Sequence, residues 1–76
     1  MSDFEKAINK QIESQLNLKP GTITGDTKFE SLGEWDSFEM LVFTSWLSTE
    51  YNIILGLVEL NKKVYVKELY ELDPCK

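Results

Sequence analysis

At 76 residues the chain has room for one small domain, residues 1–76, which would bury only about 60% of the surface its unfolded chain exposes. Eight lysines, no arginine and no histidine stand against thirteen acids, and the net charge of −5 argues against a phosphate-tracking nucleic-acid surface and for basic partners. With no histidine and one cysteine, the usual zinc frameworks, an internal disulfide and the Ser-His-Asp or Cys-His forms of nucleophilic catalysis are out of reach, so neither a metal site nor an activity of its own is expected.

Ser2 or Asp3 can cap a first helix, in which Phe4, Ala7, Ile8, Ile12 and Leu16 recur at spacings of three and four. That helix should stop near Asn17, because Pro20-Gly21 follows and the residue before a proline is pushed out of the helical region. From there to Trp35 the chain is rich in Gly, Thr, Asp, Lys and Ser, with isolated Ile23, Phe29, Leu32 and Trp35. This reads as a long loop pinned to the core.

At Asp36 the helical pattern returns. Phe38, Leu41, Val42, Trp46, Leu47 and Tyr51 cluster on a helical wheel, and Phe43 extends the stripe. Asp36 with Glu39 three residues on reads as a capping box, which places Ser37 at the first helical position. Asn52, Gly56, Leu57-Val58 and Leu60 fit a turn and a short helix. Val66, Leu69, Tyr70 and Leu72 make a brief last helix that Pro74 ends. Val64-Tyr65-Val66 has strand composition but no evident partner strand. The expected fold is all-α: a small four-helix bundle, three longer helices and one short, with a long loop between helices 1 and 2.

A serine at a helix start ordinarily does no more than satisfy free N–H groups. Here Asp36 can already serve as the cap, leaving the Ser37 hydroxyl outside, where a phosphate on it would meet the positive end of the helix dipole. With no histidine to activate it, Ser37 suits a phosphoester attached by another protein better than it suits a nucleophile.

The stretch "DTKFESLGEWDSF", residues 26–38, resembles the D-T-x-F-x-x-L-G-x-x-D-S-L segment around the modified serine of acyl carrier proteins, the phosphopantetheine-carrier family. Phe38 departs, standing where that family usually has leucine. "EYNI" and "VKEL" are similar to the family's later landmarks, so the likeness runs over nearly the whole chain. The resemblance implies 4′-phosphopantetheine carried on Ser37, with Asp36 capping the helix and presenting the serine and Phe38 supporting the arm. It implies an acyl or aminoacyl group held as a thioester, while the protein supplies recognition and placement. The implied partners are a phosphopantetheinyl transferase (the holo-synthase) and loading ligases or synthases.

Fatty-acid carriers usually dock through an acidic second helix. This one has two acids among residues 38–50, so docking through a more apolar face of Phe38, Glu39, Met40, Leu41 and Val42 is expected. "GEWDS" is also similar to stand-alone carriers of dedicated pathways.

Trp35 and Trp46 fit the core better than a ligand groove, and Glu34, Asp36 and Glu39 fit dipole and cap chemistry better than cation binding. Cys75 has too few residues after it to be a prenylation signal and reads as a frayed thiol without a role. An unmodified helical interaction module with the same fold is the alternative function. A hydrolase using Ser37 would need a lysine base, and Lys28 is the only lysine within ten residues. The start lacks the basic and apolar regions of a secretory signal, and no apolar run approaches the roughly 20 residues of a membrane span. A cytoplasmic monomer is expected.

Overall fold

The computed structural model describes residues 1–74, and Cys75 lies outside them. The described residues form a compact all-helical globule without a strand. Helix α1 spans Asp3–Gln15, α2 Ser37–Tyr51 and the short α3 Leu57–Asn61, and a closing 3-10 helix runs Val66–Leu72. The expected stripe of α1 is its core face: Phe4, Ile8, Ile12 and Leu16 are all buried. Ser2, not Asp3, caps the helix, its hydroxyl accepting the Glu5 N–H at 3.2 Å.

Both long helices end on an asparagine in the left-handed region, Asn17 at φ 57° and Asn52 at φ 56°. After each, the next amide reaches back along the helix: Leu18 N–H five residues to the Glu13 carbonyl at 2.8 Å, and Ile53 N–H six residues to that of Leu47 at 3.3 Å. These closures satisfy carbonyls that a helix end leaves open, and asparagine tolerates the conformation better than most residues.

The connector between α1 and α2 is held at two places. The carboxylate of Glu13, 7% exposed, accepts the N–H groups of Gly21 and Ile23 at 3.0 and 2.9 Å, which seats Ile23 in the core. Further on, the connector pairs with the segment before the closing helix: Phe29 N–H donates to the Val64 carbonyl at 3.0 Å and Val66 N–H to that of Thr27 at 2.9 Å. Lys28 and Tyr65 thus form an isolated antiparallel bridge. The strand-like composition of residues 64–66 has found a partner in the connector, too short to count as a sheet. A 3-10 turn, Phe29–Ser31, follows directly.

At Gly25 the connector approaches the closing helix closely, and a side chain there would require its neighbours to give by a few tenths of an ångström. A Cβ at that position would stand 3.1 Å from Lys67 Cβ and from the Tyr70 ring. The Tyr70 hydroxyl in turn donates to Asn9 Oδ1 at 2.6 Å, tying the closing helix to α1, and burial raises its pKa.

The inward face of α2 differs in phase from the expected stripe. Met40, Phe43, Thr44 and Leu47 are buried, whereas Phe38 and Leu41 are exposed. Almost every residue from Phe38 to Phe43 is apolar, so periodicity alone could not fix the phase. Thr44 enters the core with its hydroxyl donating to the Leu41 carbonyl at 3.0 Å. Leu60, Val66 and Leu69 complete the core from α3 and the closing helix. A run of ring contacts, Phe29, Trp35, Phe43, Trp46, Tyr51 and Phe4, with centroids 5.0–5.8 Å apart, crosses from the connector through α2 to α1. No helix of the described residues is long and apolar enough to cross a membrane.

The bridge carries its own pH dependence. Glu68 accepts the N–H groups of Tyr65 at 2.6 Å and Val64 at 2.7 Å, and these bonds, aided by Lys63 and Lys67, lower its pKa. A lowered native pKa stabilises the fold above the ordinary glutamate range, about 4.3, and that stabilisation is lost as pH falls through the native value. The gap in melting temperature between the native chain and Glu68→Gln should therefore be widest near about pH 7 and shrink below about pH 4. Thermal unfolding across that range measures it, and a pH-independent gap would contradict the role given to Glu68.

Candidate functional site

The site is built from the last turn of the connector and the first turn of α2. Leu32 accepts the Trp35 N–H at 3.0 Å, and the Trp35 ring stacks on Phe29 at 5.2 Å and meets Phe43 edge-on at 5.8 Å. The chain therefore reaches Asp36 from a fixed position. Asp36 is extended, φ −110° and ψ −174°, and its carboxylate accepts the Glu39 N–H at 3.0 Å while its carbonyl takes that of Met40 at 2.9 Å. Asp36 is the N-cap, as expected.

The reciprocal half of the expected capping box is not made. The Asp36 N–H goes to the Glu34 carbonyl at 3.0 Å, and the Glu39 carboxylate instead receives Gln15 Nε2 at 3.2 Å. Gln15 donates from the same nitrogen to the Glu39 carbonyl at 2.9 Å, so the end of α1 clasps the start of α2. That contact joins residues 24 apart in sequence, and no local pattern announces it.

Ser37 is the first residue of α2 and is exposed, with the capping carboxylate on its neighbour rather than on itself. Its hydroxyl stands beside the positive end of a 15-residue helix, where the first amides have no partner within the helix. Ser37 is exposed, so a group added to its hydroxyl would displace no buried side chain. The connector before it is open: a Cβ at Gly33 would meet nothing within 4 Å.

The five expected docking residues separate in space. Phe38 is 67% exposed and Leu41 51%, while Val42 and Glu39 are half-buried and Glu39 is held by Gln15. Met40 is buried, 8% exposed, and belongs to the core, so it leaves the docking set. Ile54, Leu57 and Val58, on the α2–α3 connection and α3, are exposed apolar residues outside the expected docking set. Their signal was present in the apolar residues flanking Gly56, which are too many for so short a helix to bury.

Lys28, the only lysine close in sequence to Ser37, lies over the Tyr65 ring at 5.6 Å, with Lys67 over the same ring at 5.1 Å. Trp35 and Trp46 are half-buried and pack on the core, and Trp35 also lines an open groove. Among the described residues no group of three or more His, Cys, Asp or Glu is placed to hold a metal ion. Comparison with protein-family models, curated proteins and solved structures finds no match.

Asp36→Ala should lower unfolding stability by about 1 kcal/mol, the usual worth of such a cap, with Asp36→Ser recovering most of the loss. Denaturant unfolding followed by tryptophan fluorescence measures it. Equal stability of the native and alanine proteins would show that the cap is not holding the helix start.

Proposed function

We propose that this chain is an acyl carrier protein, with 4′-phosphopantetheine attached to Ser37, and that it presents an acyl or aminoacyl group to partner enzymes of a specialised biosynthetic pathway. The observation that carries this reading is an exposed serine hydroxyl at the first position of α2 whose helix is capped by a different residue, Asp36. The resemblance of residues 26–38 to the carrier motif supports it independently. The thiol of the bound arm supplies thioester chemistry.

Four residues of the chain have a task in that scheme. Asp36 keeps the first turn wound, so that Ser37 is offered in one orientation. The Ser37 Oγ forms the bond to the pantetheine phosphorus, the nucleotide half of coenzyme A leaves with the bonding electron pair, and a base of the transferase takes the hydroxyl proton. The start of α2 stabilises the resulting phosphodiester charge. Phe38 and Leu41 give partner enzymes an apolar hold beside it. In this reading the chain itself catalyses nothing, and it works as a monomer in the cytoplasm.

The second reading, an unmodified helical interaction module, draws on the exposed Phe38, Leu41, Ile54 and Val58. One experiment separates the two. Incubation with coenzyme A and a broad-specificity phosphopantetheinyl transferase should add one phosphopantetheine mass, and Ser37→Ala should abolish the addition without altering the melting temperature. A chain that stays unmodified, or that gains the mass elsewhere, would leave the interaction module as the better account.

Apolar docking has its own signature in the rate of that modification. Leu41→Lys should slow it about fivefold or more, Glu39→Gln should change it little, and added salt should have a weak effect, because screening acts on exposed charge pairs and not on apolar contacts. A steep fall with salt and a larger effect of Glu39→Gln would assign docking to the acids instead.

A further inference from the structure

Beside the start of α2 lies a groove of about 300 Å³ that carrying an arm on Ser37 does not by itself require. Phe29, Trp35 and Val64 supply its apolar lining, and Asn61, Lys62 and Lys63 its polar one, with Glu30 the one acid lining it. The two sides are tied to each other. Phe29 N–H bonds the Val64 carbonyl at 3.0 Å, and Trp35 is fixed by its stack on Phe29 and its edge contact with Phe43. The groove is therefore formed before anything enters it.

Its charge runs against that of the chain. In a protein of net charge −5, two adjacent lysines meet a single acid here. Lys63 also lies near enough to Glu68 to help lower its pKa, which leaves Lys62 the less committed of the pair. An aromatic lining beside two lysines suits a short run of methylenes that ends in a carboxylate. A plain aliphatic chain would leave the lysines unanswered, and an amino group would be repelled by them.

The anchor point is close. Trp35 and Ser37 are two peptide units apart, so their Cα atoms are within about 7.6 Å, a fraction of the length of a pantetheine chain. We infer that this groove receives the far carboxylate of an acyl group borne on the Ser37 arm, with Lys62 and Lys63 as its counter-ions and Trp35 against its methylenes. The inference rests on the carrier reading and specifies its cargo: acyl groups with a terminal carboxylate, in preference to uncharged or amino-bearing ones.

The test compares two loaded forms of equal carbon length. A broad-specificity transferase is given glutaryl-coenzyme A or valeryl-coenzyme A, and mass spectrometry establishes that each product carries its acyl arm. In nitrogen-15 spectra the glutaryl form should shift the Trp35 indole signal and the Lys62, Lys63 and Val64 amides relative to the valeryl form. Those differences should vanish in the Lys62→Gln, Lys63→Gln double variant and grow in Glu30→Gln. If both forms load and their spectra agree around the groove, the cargo assignment is overturned while the carrier reading stands. If neither coenzyme A derivative loads, the carrier reading falls, and the cargo assignment with it.

Discussion

The pairing of residues 27–29 with residues 64–66 is the constraint on which the rest of the molecule depends. A domain this small has little core with which to hold a long connector, and the connector's own apolar residues are few and scattered. Two backbone hydrogen bonds, to Val64 and from Val66, locate Phe29, and Phe29 locates Trp35 by stacking. Trp35 delivers the chain to Asp36, the cap of α2. Without the bridge the entry to α2 would be a loose tether. Glu68 and Glu13 support the arrangement from opposite ends, each a carboxylate that takes two backbone N–H groups where no helix or sheet could satisfy them.

Helix α2 serves the fold and the proposed function with different faces. Met40, Phe43, Thr44 and Leu47 are consumed by the core, and Phe38 and Leu41 are left outside, although all six lie within ten residues. Apolar side chains at 67% and 51% exposure contribute little to stability. In the proposed carrier they would act through contact with other proteins, beside a hydroxyl that needs one of those proteins to modify it. The cap and the hydroxyl being on separate residues has the same logic, since a serine engaged in capping would have its oxygen occupied.

Much of this was legible from the residues. The α1 stripe was correct because Phe4, Ile8, Ile12 and Leu16 are separated by polar residues, which leaves a single apolar face. The Asp36 cap was correct because it depends on residues three apart. The phase of α2 was misread because Met40-Leu41-Val42-Phe43 presents an apolar side chain in every direction, and only the surfaces supplied by α1, α3 and the connector select among them. The Glu39 half of the capping box failed for a similar reason: Gln15, distant in sequence, competes for the same carboxylate.

The sequence by itself determined the helix starts, the asparagine turns, the long connector and the placement of Ser37 at the head of a helix, because each follows from interactions within a few residues. Tertiary structure decided which apolar residues are core and which are surface, gave Val64-Tyr65-Val66 its partner, and brought Phe29 and Trp35 beside Lys62 and Lys63 to form the groove. Those outcomes depend on which surfaces meet across segments far apart in sequence, as Lys28 and Tyr65 do, and local periodicity contains no record of such meetings.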